Sequence, residues 1–351
     1  MCDHSRLTGV SRRILATLLC LVISLSLCGL ALAEVPYVIP EGATVGPIPN
    51  AENYGSVPIE DAAKILEVAK RAEEMGLLEP GELNFDPEAH FGYESPILYY
   101  LDETIFAVCW KEHIWGNTCS FAEIKVADAS QFRRKLAGDM YQYPQQFLAS
   151  ELSRQVNAVI AMNADFYQFR EYGVVVYDRE IYRCDPSPIS THYTMSNYID
   201  NCFVTAGGDL LFAHRGEEMT PESLRNYIDE NDVLFSIAFG PILVENGEPY
   251  PCFSYPVGEV DQGYSRAGIG QLGPRHYLYM SLNHSPQKEA RWDTYTFAVH
   301  FASKGVEKAY CLDGGQTGEV VFQHEPYNYM DYGVERTVSD ILYFCTALPE
   351  N

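Results

Sequence analysis

Positive charge is what this sequence has least of for its size: 351 residues carry 24 Lys and Arg against 48 Asp and Glu, a formal net charge of −24. Phosphate backbones demand clustered Lys and Arg, so nucleic acid is excluded as the natural partner. An anionic small molecule would also be repelled at long range. Any phosphate site must therefore be a local basic pocket, and each arginine near a motif carries information. Metal patterns are missing too. There is no C-x-x-C, no H-E-x-x-H and no EF-hand-like loop, and His192, His276, His284, His300 and His324 are scattered along the chain. No cofactor is expected, and a structural Ca²⁺ among the many carboxylates is the one metal left open. Neither an internal repeat nor a long linker follows residue 92, which points to one large domain.

The ten cysteines are also less informative than their number suggests. Cys2, Cys20 and Cys28 precede residue 34, and the other seven are Cys109, Cys119, Cys184, Cys202, Cys252, Cys311 and Cys345. An odd count leaves at least one unpaired. Several sit in apolar runs ("FAVCW", "AYCL", "LYFC"), where a thiol packs as a small core residue.

What is present describes an exported globular protein. Hydrophobic residues make up 47% and charged residues 21%, a composition that folds. Ser11-Arg12-Arg13 precede an apolar run over 14–33 that ends Ala-Leu-Ala. A basic segment, an apolar core and an A-x-A site together predict a secretory signal cleaved after Ala33. The mature chain is then secreted or held at the cell surface, outside the cytoplasmic membrane, without stable membrane insertion. Residues 34–92 read as a linker and helical appendage, with Ala62, Ile65, Leu66, Ala69 and Ala72 on one helical stripe. Residues 93–351 read as a single α+β domain, a mixed β-sheet with flanking helices. Within it "QFRRKLAGD" and "YPQQFLASELSRQV" are expected to be helices. "GVVVYDREIYR" and "NCFVTAGGDLLFAH" are expected hairpins, and "DVLFSIAFGPILVENGEPY" and "RAGIGQLGPRHYLYMSLNH" strand pairs. Tyrosine is abundant, 25 residues, and its ring plus hydroxyl suits polyhydroxyl ligands as well as ordinary sheet packing.

Two strand ends carry candidate chemistry. In "KAYCLDGGQTGEVVF" an apolar strand stops at Asp313. Gly314 and Gly315 then permit a sharp turn and a close backbone approach, with amides able to cradle an anion, and Gln316 and Thr317 add neutral donors. A plain hairpin turn fits the same letters. "AVIAMNADFY" repeats the pattern with Asn163 and Asp165, where a turn cap is the simple alternative. Arg266 opens "RAGIGQ" and Arg336 lies in "ERTVSD"; a guanidinium fork suits phosphate or carboxylate oxygens. Ser265 in "GYSRAG", followed by Asp313 and His324, has the chain order of a serine hydrolase. No strand pattern precedes this serine, however, as a nucleophile elbow requires.

Taken together, "NADFY", "FGPILVENGE", "RAGIGQLGPRHYLYM", "CLDGGQTGEVVF" and "ERTVSDILYF" occur in an order and spacing that resembles the phosphodiester glycosidase family, over roughly residues 99–348. The resemblance implies hydrolysis of a sugar-1-phosphodiester in a cell-wall, capsular or host glycan. The catalytic residues it implies are Asp313, Asp165 and Asn163. Substrate would be bound by Arg266, Gly314, Gly315, Gln316, Thr317, Arg336 and Ser339. Arg266 would hold the phosphate, helped by Arg336 and the two glycine amides. Either aspartate would stabilise the developing oxocarbenium charge or activate water. Gln316 replaces the family's third glycine, and "SLNHS" stands where an acidic segment is usual. The reading from another class is a non-catalytic glycan- or wall-binding protein on the same fold.

Overall fold

Strand-length apolar runs separated by turns build four sheets among the described residues. The computed structural model describes residues 44–92, 95–186, 199–251, 262–283 and 292–348. All lie in the unit Val38–Asn351; the expected signal, Cys252, His192 and His284 fall outside them. Nine strands form the largest sheet, in the spatial order Tyr54–Val57, Ile97–Leu101, Ile105–Ile114, Asn117–Val126, His276–Leu282, Arg266–Gly273, Lys308–Leu312, Ile242–Glu245 and Glu248–Pro249. A five-stranded sheet runs Glu325–Pro326, Val320–Phe322, Ile160–Asn163, Asp340–Phe344, Phe132–Leu136. Three further strands, Leu210–Ala213, Asn201–Thr205 and Val233–Ile237, form another, and the hairpin Gly173–Tyr177/Glu180–Asp185 stands beside them.

The fold is α+β, with helices flanking the sheets. Every ladder between described strands is antiparallel, and several join strands that lie far apart in the sequence. The main core lies between the large sheet and the two smaller ones. There Ala107, Ile124, Tyr279 and Leu312 meet Ile160, Met162 and Leu342 on one side and Cys202, Val204 and Ile237 on the other. Helix Ala149–Gln155 covers the outer face of the five-stranded sheet through Ala149 and Leu152. Helix Pro221–Asn231 caps the three-stranded one; Thr220 accepts a hydrogen bond from Ser223 N at 3.1 Å, with Pro221 in the first turn, as its sequence predicts.

Three expectations change. Residues 131–136 do not form a helix: Phe132–Leu136 is an edge strand paired with Asp340–Phe344, and Arg134 is drawn in by Asp340, its Nε lying 2.6 Å from the carboxylate. A buried ion pair and a ready edge outweigh local helical preference. Val233–Ile237 and Ile242–Glu245 are not partners either; one pairs with Asn201–Thr205, the other with Lys308–Leu312. Finally, residues 44–92 are joined to the core rather than appended to it. Tyr54–Val57 is the edge strand of the large sheet, and Thr44 and Gly46 donate to the carbonyls of Leu348 and Thr346. Helix Lys64–Glu74 buries Ile65, Val68, Ala69 and Ala72, whereas Leu66 is exposed. Just beyond it, Glu82 accepts from Lys125 and sits 3.2 Å from His276 Nδ1, while His276 Nε2 is 2.8 Å from Glu123. Burial alone would lower the proton affinity of His276, but its two glutamate partners raise it above the ordinary imidazole value. That charged knot clasps the segment onto the sheet.

The six described cysteines are all free thiols. No described helix is long and apolar enough to cross a membrane.

The glycine spacing of "RAGIGQ" has a packing cause. Helix Thr294–Ala302 lies on the large sheet through Phe297 and Phe301, and a Cβ at Gly270 would come within 2.6 Å of the Phe301 ring and 3.0 Å of the Lys308 carbonyl. Gly270→Ala should therefore cost about 1–3 kcal/mol of unfolding free energy in urea titration, the usual penalty for overpacking; an unchanged midpoint would contradict this packing.

Candidate active site

The two candidate strand ends meet although they belong to different sheets. Lys308–Leu312 delivers Asp313 from the large sheet, and Ile160–Asn163 delivers Asn163 from the five-stranded one. They are sewn together at the backbone: Asp313 N donates to the Ala164 carbonyl at 3.0 Å, and Asn163 Nδ2 donates to the Asp313 carbonyl at 2.5 Å. The Asn163 amide oxygen accepts from Glu319 N at 3.1 Å and from the Tyr279 hydroxyl at 3.3 Å. Asn163 is thus a fully buried bracket that positions Asp313 rather than a group facing ligand.

Above this seam opens a cleft of about 310 Å³, lined by Phe166, Phe239, Gly240, Pro241, Tyr264, Ser265, Arg266, Cys311, Leu312, Asp313, Gly314, Gly315, Gln316 and Arg336. Asp313 is the one acid among the described residues of that lining. Its carboxylate accepts from Gly314 N at 2.9 Å. Burial pushes its pKa up to about 7, against the opposing pull of the Thr317 and Gly314 hydrogen bonds and the Arg170 charge. A carboxyl that exchanges its proton near neutrality is suited to acid–base work.

Most of the other expected binding groups shape this cleft instead of offering free donors to it. Gly314 N is taken by Asp313, and Gly315 N donates to the Ser265 carbonyl at 3.0 Å, so the two amides are not an open anion cradle. Thr317 is buried, its hydroxyl donating to the Gly314 carbonyl at 2.8 Å, and closes the single turn Gly315–Thr317. Gln316 reaches the Val334 carbonyl at 3.4 Å across the rim. Arg266 is buried at 6% exposure; its Nε donates to the Trp292 carbonyl at 3.2 Å and its Nη2 to the Gln262 carbonyl at 2.7 Å, so it fastens the wall. Arg336 differs. It is exposed, lies 6.0 Å over the Phe169 ring, and makes no hydrogen bond or ion pair with a described residue.

Asp165 and Ser339 lie beneath the cleft, outside its lining. Asp165 accepts from Phe166 N at 2.6 Å and Ala238 N at 2.8 Å and stands 3.7 Å from Arg134, which leaves it a buried structural carboxylate. The Ser339 hydroxyl turns to Asp340 at 3.3 Å. The serine-hydrolase order does not assemble. Ser265 Oγ donates to both oxygens of Asp331 at 2.9 Å, while His324 Nδ1 contacts Ser153 at 3.0 Å. Among the described residues no group of three or more metal-binding side chains gathers.

Phe239 lies in "FGPILVENGE" and Tyr264 in "GYSRAG", but nothing in those letters marks either ring as cleft wall, and the buried Arg170 behind them had no signal in the sequence. Gly314 did, and the reason is steric: a Cβ there would stand 2.5 Å from the Ser265 carbonyl oxygen. Gly314→Ala should lower stability by about 1–3 kcal/mol, whereas Gln316→Ala on the rim should stay within about 0.5 kcal/mol; equal effects in thermal unfolding would sink this account of the loop.

A family model described as phosphodiester glycosidase matches residues 156–345. Among solved structures, the chain is similar to the zebrafish N-acetylglucosamine-1-phosphodiester alpha-N-acetylglucosaminidase catalytic domain auto-inhibited by its pro-peptide. The two are 15% identical with a TM-score of 0.52, covering 73% of this chain and 86% of that one. A hypothetical protein from Synechocystis is 12% identical, with a TM-score of 0.50, covering 72% of this chain and 64% of that one. At such identities the likeness is one of fold. No curated protein sequence matches the chain.

Proposed function

Because the chain belongs to the phosphodiester glycosidase family, we propose that it hydrolyses the bond between a sugar's anomeric carbon and a phosphodiester oxygen, in a glycan outside the cytoplasm. The observation that carries the reading is a desolvated carboxyl, Asp313, the one acid among the described lining residues of a cleft that also holds the exposed guanidinium of Arg336. An ordinary glycosidase needs two carboxyl groups, one to protonate the leaving oxygen. A phosphate monoester leaves without that help, so one carboxylate and a cation suffice. In this reading Arg336 grips the phosphate and the sugar ring lies against Phe166, Phe239 and Tyr264. Water attacks the anomeric carbon as the carbon–oxygen bond breaks. The electron pair departs with the phosphate, and the proton of the attacking water passes to Asp313. Asn163 and Asp165 act only by holding the loop. The leader-like residues 11–33 support a site of action beyond the membrane.

The test is release of free sugar from hexose-1-phosphate and N-acetylhexosamine-1-phosphate methyl esters. Asp313→Asn should lower kcat by about 10²–10⁴. For the native chain, kcat/KM should rise with pH along a limb centred near 7, as Asp313 loses its proton to become the base. Binding of these esters without turnover by the native protein would favour the glycan-binding alternative, and unchanged rates in Asp313→Asn would remove the catalytic reading. Arg336→Ala should raise KM about 10–100-fold with little change in kcat, the worth of one charged hydrogen bond of about 1.5–3 kcal/mol; an unaltered KM would place the phosphate elsewhere.

A further inference from the structure

A second guanidinium stands behind the cleft, and the reaction above leaves it unused. Arg170 is 6% exposed. Its Nη1 donates to the Ala238 carbonyl and, at 3.3 Å, to the Phe239 carbonyl. Its charge sits 5.8 Å from the ring of Phe166, 5.3 Å from Phe239 and 5.1 Å from Tyr172. Two of those rings are cleft wall. Arg170 Nη2 is buried and has no hydrogen-bond partner.

The surroundings do not balance this charge. Arg134 is buried between Asp340, at 2.6 Å, and Asp165, at 3.7 Å. Arg183 is also buried and spends its Nη1 on the carbonyls of Tyr167 and Arg170, leaving Nε and Nη2 without partners. Three buried guanidiniums thus share two carboxylates, in a protein whose formal net charge is −24. An uncompensated buried charge is costly and acts strongly across a low-dielectric interior. On the cleft side Arg170 acts on Asp313, whose ionised form it favours and Asp165 opposes. Arg266 and Arg336 line the same cleft as Asp313.

We propose that Arg170 is a positioning residue for the reaction: from behind the Phe166 and Phe239 wall its charge maintains Asp313 as a carboxylate and draws the anionic substrate into the cleft. The role rests on the phosphodiester-cleaving reading for its consequence in turnover, but not for its effect on Asp313. Two variants of the full chain separate charge from packing. Arg170→Gln keeps N–H donors for the Ala238 and Phe239 carbonyls and removes the charge. Arg170→Lys keeps the charge and gives up the fork.

Carbon-13 NMR of the Asp313 carboxyl reads the effect without any substrate. Its titration midpoint should move up by about one pH unit in Arg170→Gln and stay within a few tenths in Arg170→Lys. With a sugar-1-phosphate methyl ester, Arg170→Gln should shift the acid limb of kcat/KM by the same amount and raise KM roughly tenfold, and lysine should restore both. If both variants lose activity alike while the Asp313 midpoint stays at its native position, Arg170 only packs the wall and the proposal falls. Should Arg170→Gln fail to fold, Arg170→Met takes its place as the charge-removing variant, and an Asp313 midpoint that stays at its native value there overturns the proposal. A native protein that turns over no ester defeats the function proposed above, while the Asp313 titration still decides the part played by Arg170.

Discussion

The seam between Asn163 and Asp313 is the constraint on which the rest of the site depends. Each end of it belongs to a different sheet; Asn163 is buried and Asp313 half-buried. Two hydrogen bonds, Asp313 N to the Ala164 carbonyl and Asn163 Nδ2 to the Asp313 carbonyl, hold those ends in one plane of contact. Loss of either partner would leave a buried polar group unsatisfied, a penalty of about 1–3 kcal/mol. Ser265 extends the seam sideways, its carbonyl accepting from Gly315 and its hydroxyl donating to Asp331. The acidic loop is thereby fixed at both flanks before any ligand arrives, so the carboxyl need not be ordered at the moment of reaction.

Electrostatics divides the molecule into an acidic exterior and a cationic interior behind the cleft. The exterior repels anions at range; buried Arg134, Arg170 and Arg183 supply opposite charge where solvent screening is weak. The same burial that raises the proton affinity of Asp313 strengthens the pull of Arg170 on it. Its poise near neutrality is a balance of desolvation against the Thr317 and Gly314 hydrogen bonds and the Arg170 charge, so the loop that carries the aspartate supplies only part of it.

Much of the architecture could be read from residue order. The hairpins over 173–185 and 201–213, the capped helix at Pro221, the last strand and the helix ending before Gly305 all follow local pattern and turn chemistry, and all are present. Residues 131–136 could not be read that way, because their alternation of aromatic, basic and apolar side chains makes sense only against Asp340 and the free edge beside it. The strand pair over 233–245 misled for a similar reason. A Gly-Pro break looks the same whether it turns a hairpin or passes the chain from one sheet to another.

At the site, the chain itself determined that Asp313 and Asn163 end strand-like runs, that Gly314 and Gly315 permit a sharp turn, and that the motifs come in this family's order. Those are properties of neighbours along the backbone, where period and turn residues speak directly. Only the tertiary structure decided that Asp165 is spent on backbone amides, that Arg266 fastens a wall while Arg336 stays exposed, and that an arginine with no motif around it lies behind the cleft. The physical reason is that a side chain's availability depends on which carbonyls and charges the folded chain sets beside it, and those partners lie far along the chain, as Ala238 does 73 residues from Asp165.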